Sequence, residues 1–428
     1  MKNLIKRYTG LPQPILRLVT AGLLINLVNA GFILILNIYL RKMGYADETI
    51  ASFTSYRFLG VLLCAFPLGL FIKGKKLKKF FILSAVVIPI SGILMLESVE
   101  WGNVWIIKTS FLMWGLGLML LQVCTLPFIM RNTPTPLIPE AISLSFSTWS
   151  FAIIVTGAFI AILSRVGSFT LGSIHFPWGE YQILLLIILI SAFALLFVIT
   201  IEEGPPRTKD SRFSNHFKAL ADDYDWGRIL KALIPTLLIA VGAGLTIPFV
   251  NLFFFSVFNM DSNQFSLVGS LAAVLGLIAA LLIPAIKRNY GYKVAILLTQ
   301  SLAMVFLVLL ALTELLATVP YIVFFAIGFY VLRQPLMHMA APITSELTMN
   351  YVGERNQELI SAVNSSIWSA SWYISAKLFQ LMRALDIPYY RIFLITAFLY
   401  AIGVILYAYI IREYSRMKTV AKTSPIIP

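Results

Sequence analysis

The sequence predicts an all-α polytopic membrane protein in which twelve transmembrane helices form two parallel six-helix pseudo-repeats. Three observations favour it: an apolar composition, apolar runs of bilayer length and a repeat offset of half the chain. Of the 428 residues, 59% are hydrophobic and only 12% are charged, and the mean hydropathy is +0.87. Soluble globular proteins are ~45–50% apolar and ~25% charged. The composition therefore excludes a disordered chain, a collagen and a conventional multidomain soluble enzyme.

Apolar runs define the predicted spans, because a helix needs about 20 residues to cross the ~30 Å hydrocarbon layer. Charge-free runs lie at 18–40, 109–130, 141–164, 181–201, 232–260, 262–286, 294–313 and 392–411. Shorter or once-interrupted runs lie at 48–72, 80–96, 315–332 and 359–382. The first run is too long for a signal-peptide core, so it counts as the first of twelve spans.

The basic residues predict the orientation of these spans. With the N-terminus inside, 24 lysines and arginines fall on the cytoplasmic side, six fall on the other side and three lie within spans. Basic residues concentrate in cytoplasmic loops. This bias accounts for the net charge of +14 without a nucleic-acid partner. We expect a multi-pass protein of the inner (plasma) membrane with both termini in the cytoplasm.

The charge pattern also divides the chain. Residues 202–228 carry eleven charged side chains between spans six and seven. Phe213, Phe217 and Leu220 recur there at helical spacing, which predicts an interfacial helix. The predicted organisation is a six-helix half at 1–201, a cytoplasmic linker at 202–228 and a second half at 229–428.

The two halves share short segments. Asn37-Ile-Tyr-Leu in span one matches Asn251-Leu-Phe-Phe in span seven at an offset of 214 residues. Parallel six-helix repeats are typical of one large transporter architecture. Polar residues concentrate in spans one, four, five, seven, ten and eleven, whereas spans three, six, nine and twelve are almost purely apolar. Because polar groups avoid lipid, we expect the third and sixth helix of each half to lie behind a cavity and to face lipid.

On these features the chain resembles the major facilitator superfamily (MFS) over its whole length. In the loop after span two, Gly69 and the following lysines match the family signature, although Lys73 replaces its acid and Lys76 its second glycine. The drug/proton antiporter signature needs a Gly-Pro pair in span five, where this chain has Gly157-Ala158. The resemblance implies alternating access around a substrate site at the midplane.

Asparagines in the first span are the first candidates for that site. Asn26 and Asn37 are eleven residues, or three helical turns, apart, and Asn29 lies close to the same face. Such a stripe indicates a cavity lining. The alternative is that these amides join helices through hydrogen bonds.

Arginines inside spans two and ten are the second candidates. Arg57 and Arg333 each cost about 2.5–3.5 kcal/mol near the bilayer centre. An arginine in this position suits an anionic ligand, since its guanidinium binds a carboxylate in a bidentate manner. The alternative is snorkelling or binding to backbone carbonyls. Lys377 lies nearer a span end, where snorkelling is favoured.

Span eleven is unusually polar and aromatic, which suits an amphiphilic ligand, although serine-rich helices also pack through their small residues. The predicted substrate-binding residues are Asn26, Asn29, Asn37, Arg57, Gln122, Asn251, Arg333, Gln334, Asn364, Trp368 and Trp372.

No acidic residue falls at mid-membrane, so the proton-coupling candidates are His338 and Glu346, the deepest carboxylate. Enzyme motifs such as HExxH, GxSxG and GxxxxGK[ST] are absent from the sequence. Cys64 and Cys124 lie in apolar runs and make no metal or disulfide motif. We expect no enzyme activity, no cofactor and no metal site.

The sequence thus predicts a secondary active transporter or facilitator that moves a small organic, anionic or amphiphilic solute across the membrane by alternating access. The alternatives are a drug efflux pump and a lipid flippase or scramblase on the same fold. The expected partners are the small-molecule substrate and membrane lipids, and we expect a monomer.

Overall fold

In the residues that the structure describes, twelve helices correspond to the twelve predicted spans. The computed structural model describes residues 10–72, 75–134, 137–166, 168–171, 174–204, 225–353 and 357–423. In chain order the helices are α1 (Gln13–Lys42), α2 (Asp47–Phe71), α3 (Lys78–Glu100), α4 (Val104–Asn132), α5 (Ile138–Val166), α6 (Glu180–Ile199), α7 (Trp226–Phe258), α8 (Ser262–Tyr292), α9 (Thr299–Leu312), α10 (Ile322–Val352), α11 (Gln357–Ala384) and α12 (Tyr389–Thr423). The predicted all-α class is confirmed. The predicted interfacial helix at 213–220 lies outside the described residues.

Most of these helices are lipid-compatible by composition. In the described ranges, nine helical segments are long and apolar enough to cross a membrane. Arg57, Arg333 and Lys377 lie on the other helices, α2, α10 and α11. The apolar segments indicate a multi-pass membrane protein.

A short hairpin joins α5 to α6. Strand β1 (Ser168–Leu171) pairs antiparallel with β2 (Ile174–Pro177), and Phe169 lies opposite Phe176. No pattern in the sequence predicted this hairpin.

Carboxylate and amide groups cap several helix ends, where backbone N–H groups have no partner within the helix. The Asn103 side chain accepts from the Trp105 and Ile106 amides at 3.2 Å each, which begins α4. Glu203, just after α6, accepts from the Leu77 and Lys78 amides at 2.8 and 3.0 Å and so caps α3. The exit of α6 is thereby fixed to the start of α3.

The first helix of each half is interrupted. In α1, Phe32–Leu36 form a π-helical segment, and in α7, Ile247–Phe249 form a 3₁₀ turn. A π segment inserts extra chain into the helical ladder and leaves carbonyls without their regular partners. Both helices therefore offer backbone acceptors to side chains of neighbouring helices.

The chain forms two compact units. The first contains the described part of Met1–Phe213 together with Pro248–Ala273 and Ala376–Ala384. The second contains the described part of Ser214–Ile247, Val274–Ser375 and Leu385–Pro428. The first unit thus includes one end of α7, α8 and α11 beside α1–α6. The domain boundaries at 201 and 229 stay a prediction.

Candidate functional site

The three asparagines of α1 contact three different helices. Asn26 Nδ2 donates to Thr148 Oγ1 of α5 at 3.0 Å, and Asn29 Oδ1 accepts from Arg57 of α2 at 2.9 Å. Asn37 lies beyond the π segment and bonds to α7. The expectation that Asn26 and Asn37 share one face is therefore wrong, since a π segment rotates the following residues by up to about 100° relative to a regular helix.

Asn37 and Asn251, the repeat-related pair, bond to each other. Asn37 Nδ2 donates to Asn251 Oδ1 at 3.1 Å and to the Pro248 carbonyl at 2.7 Å. Asn251 Nδ2 donates to the Ile33 carbonyl, within the π segment, at 3.1 Å. Both asparagines are buried. They satisfy backbone acceptors at the interruptions of α1 and α7.

Arg57 lies in an aromatic setting in the first unit. Its guanidinium carbon is 4.1 Å from the centroid of the Trp114 ring and 5.0 Å from that of Phe58, and Nη2 donates to Asn29. A Cβ on Gly115 would overlap the Arg57 carbonyl oxygen. The glycine therefore brings α4 against α2 and places the Trp114 ring on the guanidinium.

Unsatisfied donors lie on the same face of α4. Trp114 Nε1 and Ser110 Oγ, one turn apart, are buried and have no hydrogen-bond partner among the described residues. A buried donor that makes no hydrogen bond costs about 1–3 kcal/mol. A hydrogen-bond acceptor on a bound solute would remove this cost at Trp114 and Ser110.

Arg333 is the corresponding cation of the second unit. Its side chain is only 2% exposed. Nη2 donates to Tyr400 Oη of α12 at 3.3 Å, and the guanidinium lies 5.8 Å from the Tyr400 ring centroid. Nε has no partner within the described part of the chain. A Cβ on Gly242 would lie 2.8 Å from Tyr400 Cε1, so this glycine lets α7 pack against the tyrosine.

The other predicted residues of the second unit lie on α10 and α11. Gln334 Nε2 donates to Tyr330 Oη at 3.1 Å. Trp368 and Trp372 are half-buried, with ring centroids 6.5 Å apart, and Asn364 is also half-buried. His338 belongs to α10, but its side chain lies outside the described residues. In the first unit, the side chain of Gln122 is exposed.

Glu346, the proton-coupling candidate on α10, is held by a tyrosine. Tyr292 Oη donates to Glu346 Oε1 at 2.8 Å, and Asn350 Nδ2 donates to Tyr292 Oη at 3.1 Å. Glu346 is half-buried. The titratable carboxylate of Glu346 therefore has a neutral hydrogen-bond donor, the Tyr292 hydroxyl.

Ion pairs join helix ends in the first unit, at a place that we name the Asp47 end after its most buried member. Arg383 of α11 contacts Asp47 Oδ2 through Nη2 at 3.1 Å and Nε at 3.2 Å, and Arg41 Nε lies 3.6 Å from Oδ1. Lys42 Nζ lies 2.5 Å from Glu180 Oε1 and 3.5 Å from Asp261 Oδ1. These contacts link α1, α2 and α6 to the ends of α8 and α11.

The family model of the Major Facilitator Superfamily matches residues 18–376. The chain belongs to this superfamily. It is accordingly a membrane transporter of twelve helices, and its family indicates transport of small molecules rather than enzyme catalysis. No curated protein matches the sequence.

Solved transporters share the fold at low sequence identity. A D-xylose–proton symporter matches with a TM-score of 0.69 and 15% identity over 92% of this chain and 96% of its own. A mutant of the nucleoside transporter NupG matches with a TM-score of 0.70 and 12% identity over 93% of this chain and 99% of its own. A bacterial homologue of the human lysosomal transporter Spinster, in an inward-facing and unoccupied conformation, matches with a TM-score of 0.69 and 13% identity over 94% of this chain and 97% of its own. At these identities the likeness establishes the fold alone.

Sequence reasoning missed several residues of these clusters. Tyr400 is 2% exposed and lies on α12, a helix for which the sequence analysis named no candidate residue. A lone tyrosine in an apolar run gives no periodic signal. The partner of Asp47 lies 336 residues away in the sequence, and no local pattern connects the two.

Proposed function

We propose that this transporter moves a small organic anion, or an amphiphile with an anionic group, across the inner (plasma) membrane. The supporting observation is that Arg57 and Arg333 have no carboxylate within 4 Å among the described side chains. Each cation costs about 2.5–3.5 kcal/mol near the bilayer centre even on the lenient insertion scale. An anionic group on the solute would offset that cost.

The surroundings of the two arginines favour a solute that is also aromatic or apolar. The Trp114 ring covers the Arg57 guanidinium, and the Tyr400 ring lies beside the Arg333 guanidinium. An arginine stacked on a ring keeps its planar edge available for a carboxylate or sulfonate. The unsatisfied Trp114 Nε1 and Arg333 Nε are further donors for such a group.

Fewer residues are proposed as solute contacts than the sequence alone indicates. They are Arg57, Asn29 and Trp114 within the first unit and, as a separate set, Arg333 and Tyr400 within the second. Gln334, Asn364, Trp368 and Trp372 remain proposed contacts for the apolar part of the solute. We leave Asn37 and Asn251 out because their hydrogen bonds to each other and to the backbone already account for them.

Two probes that have a similar shape but opposite charge test the proposal. We expect proteoliposomes to take up radiolabelled 4-benzoylbenzoate, an anion, and not 4-benzoylbenzyl-trimethylammonium, a cation. Arg333→Gln should abolish anion uptake and leave the melting temperature near that of the wild type. Arg391→Gln, which removes an exposed arginine of α12, is the matched control and should transport normally.

Two results would refute the anion proposal. Efflux of the cationic probe driven by a pH gradient would indicate a drug efflux pump. Exchange of a fluorescent lipid between leaflets, with no uptake of either probe, would indicate a flippase. Loss of folding in Arg333→Gln, with folding restored in Arg333→Lys but no transport, would still support a role in binding.

We also propose that both termini and the 202–228 linker are cytoplasmic, on the evidence of the basic residues. A single cysteine at Asp210 and another at Asp261 should then react with an impermeant maleimide from opposite sides of intact cells. Reaction of both from one side would refute the orientation. On this proposal the Asp47 end is extracellular.

A further inference from the structure

The ring of Tyr56 has an ammonium group on each of two neighbouring helices. Lys108 Nζ of α4 lies 5.4 Å from the ring centroid, and Lys377 Nζ of α11 lies 5.8 Å from it. All three residues belong to the first unit, and all three side chains are half-buried. Three helices thus bring two like charges to one aromatic ring.

These two lysines have few internal partners. A lysine ammonium has three N–H donors. Lys377 uses one of them, to Gln380 Oε1 at 3.1 Å. Lys108 lies 5.1 Å from the Trp105 ring and donates no hydrogen bond within the described part of the chain. No described carboxylate lies within 4 Å of either nitrogen, so positive charge accumulates here without a counter-ion.

Tyr56 and Lys377 are set back from the helix ends, whereas Lys108 lies four residues, or about 6 Å, into α4. At 1.5 Å per residue, Tyr56 lies about 14 Å along α2 from Asp47, and Lys377 lies about 10 Å along α11 from Ala384. Tyr56 and Arg57 are adjacent in α2, so the ring that the two lysines share lies about 1.5 Å along the helix from Arg57.

We propose that Lys108 and Lys377 form an anion-binding site, separate from Arg333, that takes the carboxylate or sulfonate of an aromatic solute. The two ammonium groups supply charge and donors for the anion, and the rings of Tyr56 and Trp105 supply a face for its apolar part. This inference rests on the proposed anion transport, for which it names a further binding position in the first unit.

Photolabelling tests the site without requiring transport. Benzophenone carbonyls, once excited, insert into nearby C–H bonds, so irradiated 4-benzoylbenzoate marks its own position. We expect mass spectrometry of the full-length protein in nanodiscs to find labelled peptides from α2, α4 and α11. Lys108→Gln/Lys377→Gln should lower that labelling about tenfold, as expected for the loss of two partly exposed ion pairs. Lys108→Arg/Lys377→Arg should restore it.

Three controls define the result. Arg165→Gln removes an exposed cation near the end of α5 and should not change labelling. The neutral 4-benzoylbenzamide should label these peptides far less than the anion. Arg333→Gln should leave labelling at the lysine pair intact.

Several outcomes would overturn the inference: equal labelling by the neutral amide, labelling that survives loss of both lysines, or no labelling of α2, α4 or α11. If label appears only on α10 and α12 and depends on Arg333, the lysine site is wrong and anion transport stands. If the lysine pair is labelled but neither probe crosses the membrane, the site stands and the transport proposal fails.

Discussion

The pair Asp47–Arg383 should hold the Asp47 end closed, and a double-mutant cycle measures how strongly. Asp47 is 3% exposed, and both Nη2 and Nε of Arg383 contact its Oδ2. Loss of one partner removes a 3.1 Å ion-pair contact from the charge that remains. We therefore expect Asp47→Asn and Arg383→Gln each to shift the equilibrium toward an open end.

The size of the shift follows from the burial of the pair. Breaking a fully buried pair costs about 3–5 kcal/mol. Arg383 keeps 20% of its side chain exposed, and Arg41 lies near the other carboxylate oxygen of Asp47. Both facts reduce the cost, to about 2 kcal/mol, which corresponds to about a 30-fold change in the open population.

Thiol accessibility provides the assay. Ser55 is fully buried on α2, two turns beyond Asp47. In a chain with Cys64 and Cys124 replaced by alanine, Ser55→Cys should react with an impermeant maleimide only when the Asp47 end opens. Each single variant should raise the labelling rate about 30-fold, and the double variant should raise it by about the same factor, because the second change removes no further bond.

An independent effect of the two substitutions would refute this reasoning. In that case the double variant would label about 1,000-fold faster than the parent. An unchanged rate in Asp47→Asn would refute it as well. Glu48→Gln removes the same charge from the same helical turn and should leave the rate unchanged, while size-exclusion profiles and melting curves verify that each variant folds.

Three further predictions follow from single contacts. Asn251→Ala should lower the melting temperature, because the Ile33 carbonyl loses its hydrogen-bond donor at a cost of about 1–3 kcal/mol. A melting temperature equal to that of the wild type would contradict the role of Asn251 at the α1 interruption. Gly115→Ala should prevent normal folding, because the added Cβ would overlap the backbone of α2. Gly22→Ala is the control and should fold normally, because nothing lies within 4 Å of its added Cβ. Size-exclusion chromatography distinguishes the two results. Glu346→Gln should abolish any stimulation of 4-benzoylbenzoate uptake by an imposed pH gradient, and stimulation that persists would exclude Glu346 as the proton carrier.

The helices were predictable from the sequence because each apolar run had bilayer length. The repeat offset also had physical content: Asn37 and Asn251, matched only by position, hydrogen-bond to each other. Both asparagines lie in the first unit, and the division into two equal halves stays a prediction.

The side-chain partners were not predictable in the same way. We expected Asn26 and Asn37 to share a face on the basis of 3.6 residues per turn. A π segment lies between them, and the residue types in it do not predict a π-helix. Asp47 and Arg383 meet across 336 residues, and Lys108 meets Lys377 only through Tyr56. Charge and spacing along a single helix do not reveal contacts that depend on the packing of three.

The cap that Glu203 places on α3 has a consequence for the order of synthesis. Glu203 and Gly204, which donates to Asn132 Oδ1 at 3.3 Å, are made directly after α6, so the contacts that they give to the ends of α3 and α4 can form before α7 is inserted. Asp47 instead receives Arg383 only when α11 has been made. The N-terminal helices can therefore assemble during translation before the Asp47 end gains its contact with α11.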